Sequence, residues 1–176
     1  MTTRNHIQTS LFLIMPMILL ILLTACGGGS DNSTTTTTKA TLKINLNGDP
    51  GGKAIIGAGF TLTLPTNVTP EMVNGVVAAS VVTPSGAFAG STIAPIVTYI
   101  PATGTTPGAV QIVLSSSAPA GVTTVGEVAT VTLHLSGGVA PVAANFSLNS
   151  VPVTVIDTFG NTVAGMTASV VGVVLH

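Results

Sequence analysis

An antiparallel β-sandwich is the fold class this sequence predicts, and three observations predict it. Short runs of Val, Ile, Leu and Thr alternate with period two. Gly- and Pro-rich turns separate those runs. No segment repeats its apolar residues at the helical interval. β-branched residues dominate the runs, as half-buried strands prefer, and many short strands with regular turns are the raw material of two packed sheets.

Taken in order, Leu42, Ile44 and Leu46 alternate with Thr41, Lys43 and Asn45 and predict a first strand, closed by the turn Asn47-Gly48-Asp49-Pro50-Gly51-Gly52. Phe60, Leu62 and Leu64 alternate with Thr61 and Thr63 in a second. Pro70-Glu71-Met72-Val73 is expected to form at most one short turn of helix, and Thr83-Pro84-Ser85-Gly86 a turn. Another turn, Gly104-Thr105-Thr106-Pro107-Gly108, leads into the face Val110, Ile112, Leu114. Val131, Leu133 and Leu135 oppose Thr130, Thr132 and His134 and end at Ser136-Gly137-Gly138. Val151, Val153 and Val155 follow. Asp157-Thr158-Phe159-Gly160-Asn161 reads as a hairpin loop with Gly160 or Asn161 available for positive φ. Met166, Ala168 and Val170 form the last stripe.

The start of the chain is of another kind. Arg4 precedes a short apolar run, Leu11 to Leu23, which Pro16 interrupts and which leads into Leu23-Thr24-Ala25-Cys26-Gly27. That order is a secretory signal, and the run falls short of the roughly 20 residues that span a bilayer. Leu-Thr-Ala-Cys resembles the lipobox of bacterial lipoproteins. The resemblance implies a signal peptide over residues 1–25, lipidation of Cys26 and cleavage before it. With Gly27 rather than aspartate after the cysteine, it also implies sorting to the outer membrane of a bacterial cell envelope. Residues 26–39 then read as the lipidated Cys and a flexible Gly/Ser/Thr tether, and residues 40–176 as one domain, long enough for its own core.

Composition excludes several classes. Behind Cys26 stand three lysines (Lys39, Lys43, Lys53), five acids (Asp31, Asp49, Glu71, Glu127, Asp157) and no arginine. No basic stripe exists to neutralise phosphates, so no nucleic-acid partner is expected. Cys26 is the only cysteine, which rules out internal disulfides and thiol-held metal sites.

Four stretches resemble the cohesin domain, the jelly-roll sandwich of cellulosome scaffolding proteins, which shares its fold with certain cellulose-binding modules. They are Ala58-Gly59-Phe60-Thr61-Leu62-Thr63-Leu64; Val81-Val82-Thr83-Pro84-Ser85-Gly86; the pair Gly108–Ser116 and Gly126–Leu133; and Asn145-Phe146-Ser147-Leu148 with Asp157–Val163. The likeness covers roughly residues 41 to 173. It implies a jelly-roll and a non-catalytic role in protein–protein assembly or adhesion. It departs from the family where Pro65-Thr66-Asn67-Val68 replaces a Tyr-Asp-Pro-like turn, where the threonine tether stands in place of a first strand, and in lacking evident dockerin-holding acidic and aromatic groups. No dockerin-contact residue is therefore carried over.

Catalytic sites are not expected. His134 lies beside Thr130 and Thr132 on a solvent face, no Gly-x-Ser-x-Gly elbow accompanies it, and His176 is the last residue. Glycoside hydrolysis needs two acids about 5–10 Å apart, while Glu127 and Asp157 read as an ordinary strand-end and an ordinary loop acid. Asn45, Asn47 and Asp49 have alternate spacing, but the loop glycine and closing glutamate of a calcium loop are missing. They describe a strand running into a turn, and no metal or cofactor is expected. Sugar binding rests on exposed rings. There is no Trp, Phe60 alternates with core residues, and Phe88, Tyr99 and Phe159 are the ligand-binding candidates. Three scattered rings give no platform for crystalline cellulose. The expected recognition surface is a Thr/Ser/Ala-rich sheet face meeting a protein partner, dockerin-like or another envelope protein. The alternatives are a carbohydrate-binding module serving polysaccharide breakdown and a purely structural envelope lipoprotein.

Overall fold

The computed structural model describes residues 37–148 and 152–176. The signal segment, Cys26 and Val151 lie outside the described residues. The strands are β1 (Lys39–Asn47), β2 (Ile55–Thr63), β3 (Val68–Pro70), β4 (Met72–Val73), β5 (Val76–Val77), β6 (Val82–Pro84), β7 (Ile96–Ile100), β8 (Ala109–Ser115), β9 (Gly126–Leu135), β10 (Thr154–Asp157) and β11 (Thr167–Leu175). Helix among the described residues is limited to three single 3-10 turns. The fold is all-β and its two main sheets are antiparallel throughout.

The first sheet runs β11-β1-β9-β3, with β6 also on β9; the second runs β10-β2-β8-β7. Pairing is nested along the chain: β1 with β11, β2 with β10, β3 and β6 with β9, and β7 with β8. The inward stripes meet between the sheets. Ala40, Leu42, Ile44 and Leu46 of β1 and Val131 and Leu133 of β9 face Ala58, Phe60 and Leu62 of β2 and Val110, Ile112 and Leu114 of β8, and all are buried. The alternation expected on β1, β2, β8 and β9 is therefore the observed one. One irregularity is built in. Ile44 pairs Ala129 but Asn45 pairs Glu127, leaving Val128 as an extra residue of β9. Val128 and Ala129 are consecutive and both buried, a bulge that bends the strand over the core.

Two expectations are corrected. Glu71–Val73 does not start a helical turn. Met72 and Val73 pair with Val77 and Val76 in a hairpin, turned by Asn74 at φ 52° and Gly75 at φ 80°, the two positive angles that a two-residue hairpin turn needs. Thr83 and Pro84 belong to β6 rather than to a turn. Reversal begins at Ser85, and a Cβ on Gly86 would collide with the Glu127 carbonyl oxygen. Asp157–Asn161 does form the expected loop, with Gly160 at φ 81°.

Candidate functional site

The outer face of the second sheet departs in composition from a solvated sheet. Antiparallel register sets its rows. Ile156 and Ser115 flank Gly57; Thr154 and Val113 flank Gly59, with Ile96 beyond; Thr61, Gln111 and Thr98 form the next row. No charged side chain occurs in any of these rows. Apolar ones do, and they face water: Ile96 is 66 % exposed and Val113 43 %, with Ile100, in the row of Ala109 and Thr63, 42 % exposed.

Gly57 and Gly59 make this face concave. Both lie on a central strand, where glycine lowers stability by roughly 0.5–1 kcal/mol relative to alanine. Neither has a positive φ. A Cβ on Gly57 would come no nearer than 3.5 Å to any heavy atom, and one on Gly59 no nearer than 3.9 Å. Backbone geometry and close packing therefore give no reason for glycine here. Glycine within a strand otherwise marks a place where another group approaches the backbone. The missing side chains leave a groove of about 490 Å³ floored by β2, with Thr154, Ile156 and Pro152 on one bank and Gln111, Val113 and Ser115 on the other. The Thr, Ser and Gln groups offer scattered hydrogen-bond donors and acceptors on an apolar ground.

The aromatic candidates are not brought together. Phe88 is 2 % exposed and belongs to the core, which corrects the expectation that it lies open in its loop. Its 3-10 turn, Gly86–Phe88, tucks the ring inward. Tyr99 pairs with Val110 on the inner side of β7 and packs against the core, half-buried. Phe159 is 88 % exposed in the loop after β10, at the opposite edge of the second sheet from Tyr99 on β7. Phe60 is buried, as its alternation predicts. Cys26 lies outside the described residues.

The titratable groups are engaged in local structure. Glu127 Oε2 lies 3.0 Å from Lys43 Nζ across β1 and β9, and that contact lowers its carboxyl below the ordinary value. Asp157 accepts hydrogen bonds from the backbone N–H groups of Asn161 (2.8 Å) and Phe159 (2.9 Å), with Lys53 Nζ 4.0 Å away. Those backbone bonds, Asn161 foremost, outweigh burial and lower its pKa. His134 Nε2 stands 3.6 Å from Glu71 Oε2 on the outer side of the first sheet. Asn47 donates to Ser169 Oγ (3.0 Å) and Asp49 accepts from the Gly51 N–H (2.8 Å), as a strand running into a turn requires. Among the described residues no group of acids, histidines or cysteines is arranged to hold a metal.

The residues that build the groove were not singled out by their chemistry in sequence. The legible signal was Gly57-Ala58-Gly59, two glycines two positions apart inside an apolar run. No family model matches the chain, and neither a curated protein nor a solved structure is significantly similar to it.

Proposed function

We propose that this chain is an envelope-anchored lipoprotein presenting a non-catalytic, cohesin-like binding module, and that a protein partner docks on the outer face of the second sheet. The observation that carries the docking face is the uncharged groove over Gly57 and Gly59 with the exposed apolar side chains beside it. Exposed apolar patches of this kind mark interaction sites, and interface centres are depleted of charge. The nested strand pairing is the wrap expected of a jelly roll and supports the likeness to cohesins. Engagement of Glu127 and Asp157 with separate lysines supports a binding role over hydrolysis. A sugar is the less favoured ligand because the groove offers no ring to stack on.

The test is retention of envelope proteins on the immobilised chain. Val113→Lys places a charge on the groove bank at an exposed position, where the stability change should stay within about 0.5 kcal/mol. A partner held by the wild type and lost from Val113→Lys supports the face. Saturable retention on cellulose or chitin would reverse the preference for protein. The anchor has its own test. Cys26→Ser should abolish lipid attachment, and with it the stable membrane binding that two or more acyl chains provide. A processed, membrane-bound serine variant contradicts the lipoprotein reading.

A further inference from the structure

The four edges of the two sheets are not treated alike. Beyond β9, the first sheet ends in two short pieces, β3 and β6, each closed by a proline, Pro70 and Pro84. The second sheet ends in β10, of 4 residues, and in β7, which lies between Pro95 and Pro101. Short strands and prolines are the usual protections of an unpaired edge. The remaining edge, β11, has 9 residues, Thr-Ala-Ser-Val-Val-Gly-Val-Val-Leu, without a charge or a proline. Its one irregularity is the bulge at Val171, between the pairs Lys43–Gly172 and Ile44–Val170. It pairs with β1 alone among the described residues. The 3-10 turn Ala143–Asn145 lies beside it, but the backbone bonds of that turn are internal.

The ladder fixes which groups are free. Lys39 and His176 exchange both backbone hydrogen bonds. Such pairs alternate along an antiparallel ladder, so Val174 and Gly172 also bond toward β1, while the N–H and C=O groups of Val173 and Leu175 point outward. Val171, Val174 and Leu175 are at the same time exposed, at 51 %, 54 % and 38 %. An unpaired strand is recognised by another strand, and an antiparallel pair related by a two-fold axis is self-complementary.

We propose that β11 pairs antiparallel with β11 of a second copy of this chain, centred on Val173, joining the first sheets of two molecules into one continuous sheet. In that register Val174 of one copy lies over Gly172 of the other, where a Cβ would meet nothing within 4 Å, and Leu175 pairs with Val171. With the other three edges protected, the assembly closes at a dimer.

The test is amide exchange by NMR on the full chain in non-ionic micelles, with sedimentation over a concentration series to about 1 mM, the weak end of measurable association. The expected result is a monomer–dimer equilibrium in which the amides of Val173 and Leu175 gain protection with concentration, while those of Gly172 and Val174 are protected throughout. Leu175→Pro removes an outward N–H in each copy and leaves the β1 ladder intact; it should weaken the dimer about 10- to 100-fold. Val174→Lys, an edge charge, should also weaken it, and Val113→Lys on the other sheet should not. A monomer at every concentration overturns the proposal. So does a dimer that survives both edge variants, or one lost through Val113→Lys.

Discussion

Gly59 and Gly86 share a residue type and differ in why they carry it. At Gly86 the backbone sits at φ 50° and a Cβ would strike the Glu127 carbonyl, so Gly86→Ala should cost more than about 1 kcal/mol. At Gly59 the φ is not positive and a Cβ would meet only ordinary contacts at 3.9 Å or more, so Gly59→Ala should raise stability by about 0.5–1 kcal/mol. Urea denaturation of both variants checks the pair; a destabilised Gly59→Ala would mean that the groove floor has a structural role. Asp157 makes a prediction in pH. Its folded pKa lies below the unfolded value of 3.8, so its contribution is present above that value and is lost as pH falls through the folded one. Acid unfolding of Asp157→Asn should accordingly show a shallower loss of stability below about pH 4, and an unchanged slope would place the acid sensitivity elsewhere.

At the scale of the element, β9 gives the sharpest contrast. Leu133 is fully buried, and Leu133→Ala should cost roughly 2–5 kcal/mol. Thr132 points outward, with its hydroxyl 3.3 Å from that of Thr41; Thr132→Ala should cost about 1 kcal/mol or less. Equal penalties in thermal unfolding would contradict the register. This strand was legible because only one of its faces is apolar. β7 was not. Ile96-Val97-Thr98-Tyr99-Ile100 is apolar on both faces, so period two is hidden, and the same holds for the second half of β11. The hairpin of β4 and β5 is obscured for another reason: its strands are two residues each, too short to show period two, so only Asn74-Gly75, a strong turn signal, marks it. Phe88 is not legible as core because a 3-10 turn buries its ring while its small neighbours read as an open loop. The elements that blurred the sequence pattern both bear on the proposed interfaces: β11 forms one of them, and β7 adds exposed Ile96 and Ile100 beside the other. That is where local consistency is expected to yield to function.

Across the whole sandwich, the strand charges lie on one outer face. The first sheet shows water Lys39, Lys43, Glu127 and His134 among threonines and asparagines. The strands of the second sheet carry one charged residue, Asp157, and it is buried at the end of β10. A net charge of −1 over 176 residues gives little long-range steering, so the proposed docking would rest on shape and apolar contact at short range. Because the uncharged face combines a hollow with exposed isoleucine and valine, it can seat an apolar side chain of a partner. The β11 edge lies on the other sheet, which leaves this face free in the proposed dimer.

The measurement that bears most directly on this account combines stability with binding in one variant, Gly59→Val. The valine suits a strand, its Cβ would make only ordinary contacts of 3.9–4.0 Å, and its methyl groups would project into the groove. The account predicts a chain at least as stable as wild type in urea that no longer retains the envelope protein held by wild type, while Phe159→Ala retains it. A Gly59→Val chain that keeps its stability and holds the same partner equally well would contradict the claim that this face is the recognition surface.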